Sequence, residues 1–414
     1  MSQPEFPQDE PPASAEGERH SRERFVRPSL LDRVRRRAIR FARRATGSPR
    51  SRFDHVRRLL APLVLAVVPL FWVIDATYRA TLTTIGRDQG IFHYIAWAVR
   101  QGAVDYRDVR DVNGPLVHLI HMLMLSLGGG DEHRFHVLDL TATGVSFAIV
   151  GALLPGIVSP RRPKWSERIG WAIAMWVVLS AQYALYLYWN QAQRESFADW
   201  FLLPSIALQI ARPNARSAFR RVVLIAALST LTWFAKSSFA PFTVMQLGVL
   251  LFERDHALPR SARVKAFVLG GLLGAVIPLL YLLRYGDVLS YLRITVRDVP
   301  QVYRYIWARS AREILGDEGP LGDATFGLAL SALLCALVAL RALPRRMLAL
   351  ALAPLCGLAS AIAQHKGFGY HFHPLTASTH IGFLVIVTML WERYRGAPRS
   401  RPIGRFVALG AAAA

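Results

Sequence analysis

Nine apolar runs recur along the 414 residues, and they restrict the fold more than any other feature of the sequence. They fall at about 59–79, 135–157, 169–189, 197–211, 222–252, 266–283, 325–342, 347–363 and 374–391. Most approach the length of about 20 residues that a helix needs to cross a bilayer. Hydrophobic residues make up 53% of the chain and charged residues 19%, below the share of about 25% usual in soluble proteins. The formal charge is +22, but the basic residues sit between runs long enough to cross a membrane. A water-soluble enzyme, a disordered polymer and a nucleic-acid binder are therefore excluded as readings of the whole. Cys335 and Cys356, the only cysteines, lie in separate apolar runs with no partner at ligand spacing. Neither a disulfide framework nor a zinc site is expected.

Charge sets the expected topology. The connectors SPRRPKWSER, ARPNARSAFRR, ERDHALPRSARVK, RALPRR and WERYRGAPRSR are rich in Arg and Lys, like the N-terminal stretch. The positive-inside rule places all six on the cytoplasmic side. That requires 222–252 to be a hairpin of two spans and 115–128 not to cross. The expected fold is an all-α polytopic membrane protein with about ten transmembrane helices. Residues 1–58 read as a basic, disordered cytoplasmic tail, 59–395 as the transmembrane domain and 396–414 as a short cytoplasmic tail.

With this topology five segments face outward: 80–134, 190–196, the turn near Lys236–Ser238, 284–324 and 364–373. They hold the unusual polar residues, among them Asp88, Asp105, Asp108, Asp111, Glu195, Lys236, His365, Lys366, Tyr370, His371 and His373. Polar groups converging opposite the positive loops point to a site that opens outward.

The first outward segment reads TTIGRDQGIFHYIAWAVRQGAVDYRDVRDVNGPLVHLIHMLMLSLGGGDEHRF. An Asp just past the first span, then YRDVRD, then Gly-Pro before a short apolar helix, resembles the GT-C superfamily of polyprenyl-phosphate-sugar glycosyltransferases. The pattern is most similar to the GT39/GT83-like branch, which includes protein mannosyltransferases and the lipid A aminoarabinose transferase. NQAQRESFADWFLLP resembles that family's second external acidic site, WFAKSSFAPF its Lys-containing hairpin, and QHKGFGYHFHPL its late outward loop. The resemblance implies a GT-C fold with a membrane-parallel helix in the first external loop. It also implies an active site facing outward from the cytoplasmic membrane and a polyprenyl-phosphate sugar donor. The acceptor, whether lipid, glycan or protein, is left open, and no cofactor, metal or nucleic acid is implied. One departure is that Gln89 follows Asp88 where relatives often carry a second acid, so the resemblance does not extend to a paired-carboxylate metal site, and the need for a divalent metal is left open.

Such chemistry needs a base for the acceptor hydroxyl and stabilisation of the departing phosphate. The resemblance implies Asp88 as the base; a purely structural role would be capping a helix that begins at Gln89. Glu195 would orient the acceptor or balance charge, or else cap the span at Ser196 as an exposed acid. Lys366, His371 and His373 are candidate phosphate or sugar contacts. Lys236 is a second phosphate partner, or a snorkelling anchor of the hairpin. Asp108 and Asp111 are secondary substrate-binding candidates, because Arg107 and Arg110 interleave them as in a solvated surface network. Arg293, Arg297 and Arg304 are candidate clamps in the Tyr- and Arg-rich loop 284–324. The alternative function is a transporter or lipid flippase, which should show internal repeats and ionisable groups deep in the membrane. The sequence has no such repeat, and its ionisable residues cluster at span ends.

Overall fold

The structure, a computed structural model, describes residues 49–155, 163–211, 215–254 and 256–396. Among these residues the chain is helical and has no strand. Twelve principal helices follow in order: α1 (Pro49–Leu82), α2 (Arg87–Arg100), α3 (Pro115–Gly128), α4 (Glu132–Leu153), α5 (Trp165–Ala184) and α6 (Arg194–Ile210), then α7 (Ala218–Leu231), α8 (Ala240–Phe252), α9 (Arg260–Tyr285), α10 (Glu318–Ala339), α11 (Leu348–Ala363) and α12 (His373–Gly396). Among the described residues, seven helices are long and apolar enough to cross a membrane: Pro62–Leu82, Glu132–Leu153, Ala215–Phe234, Arg260–Tyr285, Gly319–Ala339, Arg345–Ala363 and Gly369–Leu390. This is the make-up of a multi-pass membrane protein. Large apolar side chains on the outside agree with it, Val68 being 79% exposed on α1 and Leu272 65% exposed on α9. Such exteriors are poorly solvated by water and well solvated by lipid tails.

The helices occupy all the expected apolar runs, with different boundaries. The first begins at Pro49, so residues 49–58 belong to α1 rather than to the basic tail. Residues 1–48 and 397–414 of the expected tails lie outside the described residues. The run 222–252 does break into two legs at Lys236, and the first leg is a full-length Ala215–Phe234 rather than a short one. The penultimate outward segment ends at Asp317, because α10 starts earlier than the apolar pattern indicates.

Local sequence explains the helix ends near the site. Pro115 stands at the first position of α3, where its missing N–H is no loss, and Gly129 ends that helix in the left-handed region at φ 67°. Asp131 caps α4 by accepting from the Arg134 N–H at 2.9 Å. Gly114 donates its N–H to the Ala235 carbonyl at 3.0 Å. A Cβ at Gly114 would stand 2.0 Å from the Phe234 carbonyl oxygen, so only glycine lets the first outward segment lie against the Lys236 turn. The same device packs α9 on α7, where a Cβ at Gly270 or Gly274 would meet the carbonyls of Val223 and Ala227 at 2.2 and 2.3 Å. The main core runs through α4, α5, α6, α11 and α12 and includes Phe147, Met175, Leu202, Leu350 and Val385. It fixes these helices relative to one another.

Candidate functional site

The N-terminus of α2 is held without help from Asp88. The Gly86 N–H donates to Gln89 Oε1 at 2.6 Å, and Gln89 Nε2 donates to the Gln191 carbonyl at 2.6 Å. The helix starts at Arg87, so the capping role considered for Asp88 belongs instead to Gly86 and Gln89. This also accounts for the amide at position 89: fully buried, it braces the first outward segment against the second. Asp88 sits in the first turn, where the helix dipole favours a carboxylate. Its side chain is 27% exposed and lies 3.7 Å from Arg87 Nε. Tyr370 Oη donates to its Oδ2 at 3.3 Å.

Glu195 departs from the exposed cap considered for it. Gln193 is the N-cap of α6, and Ser196 Oγ accepts from its N–H at 3.0 Å, which leaves Glu195 out of the cap. The Glu195 side chain is fully buried, with Oε1 3.2 Å from Arg194 Nε, 3.5 Å from Lys236 Nζ and 3.8 Å from His371 Nε2. Its Oε2 has no hydrogen-bond partner among the described residues. Arg194 Nη2 donates to Tyr370 Oη at 3.3 Å and to His371 Nε2 at 3.2 Å, which puts the His371 proton on Nδ1. Lys236 lies in the break between α7 and α8 and donates to Gln364 Oε1. Burial, reinforced by the Arg194 charge and partly offset by Glu195 and Asp111, lowers the Lys236 ammonium to about 7.

A cavity of about 430 Å³ opens on the other side of Lys236. Its lining includes Gly114, Ser237, Ser238, Tyr303, Arg304 and Gln364. Residues from all five expected outward segments therefore meet around Lys236 and Glu195: Asp88, Arg194, Lys236, Tyr303 and Tyr370 come one from each.

The remaining candidates fall in other places. Lys366 donates to the Tyr303 carbonyl at 2.8 Å and to that of Ile306, so its ammonium is occupied in holding the 303–306 turn. His373 pairs through Nδ1 with Asp199, and does not join Glu195. Asp108 is a surface residue, bound to Arg107 at 2.9 Å and to the Val104 N–H at 2.7 Å. Arg304 lines the cavity, whereas Arg293 and Arg297 are not among its lining residues. Asp111 is part of a buried relay rather than of a surface network. His118 Nδ1 binds Asp105 Oδ2 at 2.7 Å, and His118 Nε2 binds Asp111 Oδ2 at 2.9 Å. Tyr281 Oη also donates to Asp105 Oδ2, at 2.8 Å, which ties the first outward segment to α9.

Burial alone would depress the His118 pKa, but the Asp105 and Asp111 carboxylates outweigh it and raise it to about 10. A histidine raised above its ordinary value of about 6.5 adds stability that is full below that pH and is lost as pH rises through the folded value. The thermal midpoint of the purified protein is expected to fall between pH 7 and 10. His118→Ala should be less stable at pH 6 by about 3–5 kcal/mol, because two buried carboxylates lose their shared cation. It should also lose that slope. A wild-type midpoint level across this range would mean that His118 is neutral.

Sequence reasoning passed over Arg194, Gln364 and His118. Arg194 and His118 carried a signal, an ionisable residue entering an apolar run. It also placed the ionisable groups at span ends, whereas Asp139 and Asp199 are buried one to two turns inside their helices. No family model, curated protein or solved structure matches the chain.

Proposed function

We propose that this chain is an integral-membrane glycosyltransferase of GT-C type, with ten spans. It moves a sugar from a polyprenyl-phosphate donor to an acceptor hydroxyl, with inversion, at the outer face of the cytoplasmic membrane. The observation that carries this reading is the convergence of one partly exposed carboxylate, Asp88, through Tyr370 with the buried Arg194 and the part-buried Lys236, of which Lys236 lines a cavity of about 430 Å³. Asp88 takes the proton from the acceptor hydroxyl as its oxygen attacks the anomeric carbon. The bond from that carbon to the phosphate oxygen breaks, and its electron pair leaves with the phosphate. Lys236 and Arg304, both lining the cavity, neutralise the departing charge. Glu195, fully buried behind Lys236, balances the cations between turnovers. An apolar groove of about 560 Å³ between α8 and α11 runs from Pro241 and Ala359 and takes the donor's prenyl chain. Its end residues Pro241 and Ala359 lie about one helical turn from Ser238 and Ala363 in the lining of the phosphate cavity, and Ser360 bonds Ser238 at 3.0 Å between the two.

A transporter or flippase is the second reading, favoured by the buried Asp139, Asp199 and His373. The test uses the purified protein in liposomes with a radiolabelled polyprenyl-phosphate sugar and a membrane extract as acceptor source. Transfer of label from prenyl phosphate to another molecule is the expected result. Movement of intact donor between leaflets without transfer would support the flippase.

The topology has its own test. In a background without Cys335 and Cys356, Gly130→Cys and Gly316→Cys are expected to react with an impermeant thiol reagent added outside whole cells. Ala257→Cys and Pro344→Cys should react only after lysis. Outside labelling at 257 would invert the hairpin 215–252 and separate Lys236 from the outward face.

A further inference from the structure

A second apolar groove, between α1, α4 and α5, measures about 710 Å³. Its floor is built from small side chains, Gly144, Ala148 and Ala152 on α4 and Ala172 on α5. α4 lines it from Val137 to Ala152, a length of about 22 Å at 1.5 Å per residue. That is most of a hydrocarbon core about 30 Å thick. α1 contributes only its last turns, from Val73 to Thr81, and is pinned to α5 where Ala66 and Val73 meet Ala174 and Val177. The groove is thus walled on three sides only at the end nearest α2, and is open along the rest.

The walled end stops at Gln191. Its carbonyl accepts from Gln89 at 2.6 Å, and Gln89 is the neighbour of Asp88. The α8/α11 groove stops instead at Pro241 and Ala359, about one helical turn from Ser238 and Ala363 of the Lys236 cavity. Two apolar grooves therefore end near the proposed site, one at Gln191, which binds the neighbour of Asp88, and one about a turn from the segment that carries Lys236 and Ser238. With the donor's chain assigned to the groove nearer Lys236, the groove that ends at Gln191, on the Asp88 side, belongs to the other substrate. A soluble glycan or a protein segment has no hydrocarbon with which to fill it.

We propose that the acceptor is itself a membrane lipid, with a hydrocarbon chain in the α1/α4/α5 groove and a headgroup hydroxyl at Asp88. This rests on the transferase reading above. The headgroup oxygen forms the new bond to the anomeric carbon, its proton goes to Asp88, and the released prenyl phosphate keeps the electron pair of the broken bond.

The experiment supplies membranes containing the full chain with the polyprenyl phosphates of [14C]glucose, [14C]galactose, [14C]mannose and [14C]arabinose together. Products are then separated into chloroform–methanol-soluble lipid, precipitated protein and water-soluble glycan. New label in a lipid distinct from the donors is the expected result. Ala148→Trp and Ala172→Trp, which fill the groove away from the reaction centre, should lower that label at least tenfold while purified protein still retains labelled donor. Label in protein or soluble glycan, or lipid labelling undiminished in both groove variants, would overturn the lipid acceptor and leave the transferase standing. No label leaving the donors in any fraction would overturn both. The fraction that carries label in the wild type decides the matter even where a tryptophan variant fails to accumulate.

Discussion

Asp88→Asn is expected to lose sugar transfer by about a hundredfold or more while inserting, folding and binding the donor like the wild type. The substitution keeps size and a carbonyl oxygen but removes the ability to accept a proton. Its structural cost is small, because Gly86 and Gln89 hold the start of α2. Tyr370 Oη has an acceptor at position 88 in either form. Activity and fold are therefore separable at this residue, as they are not at Glu195, whose removal strands Arg194 and Lys236 in a buried site. The measurement is single-turnover transfer by purified protein, with donor retention assayed in parallel. Transfer by Asp88→Asn at near the wild-type rate would sink the mechanism and move the base to Glu195.

Most of the long helices were legible because they coincide with apolar runs, and the charge of the connectors put into one group the segments that carry Asp88, Glu195 and Lys236. Side-chain roles within those segments were less legible. Lys366 and Lys236 look alike in sequence, a lysine in a turn among aromatic residues, but only Lys236 faces a carboxylate; Lys366 meets two carbonyls from a segment some 60 residues away in the chain. Asp105, Asp108 and Asp111 repeat at one spacing, yet the left-handed Tyr106 at φ 66° turns the chain so that two are buried on His118 and one is solvated. Helix capping failed for a related reason. Asp88 and Glu195 both follow patterns that a cap allows, and the caps went to Gly86 with Gln89 and to Gln193 with Ser196, because the buried carboxamide of Gln89 and the Ser196 hydroxyl reach the orphan N–H groups without stranding a charge. Contacts between distant segments, not local preference, decided each case.

Lys236→Ala is expected to weaken donor binding by about a hundredfold, since a phosphate left without its cation in a buried site costs several kcal/mol and each 1.4 kcal/mol is tenfold. The wild type carries a second signature. Burial and the Arg194 charge lower the Lys236 ammonium to about 7, so in the free protein it loses its proton as pH rises through neutrality. A bound phosphate favours the charged form, and donor binding above that pH then requires uptake of one proton. Affinity should accordingly be level below about pH 7 and fall roughly tenfold per unit above it. Lys236→Arg, whose guanidinium keeps its proton throughout, should bind with little change from pH 7 to 9, though less tightly at pH 6 because a planar fork replaces a point charge. Retention of labelled donor by purified protein between pH 6 and 9 measures both effects. Level affinity in the wild type together with undiminished binding by Lys236→Ala would place the phosphate elsewhere in the cavity, with Arg304 as the remaining cation among its lining residues.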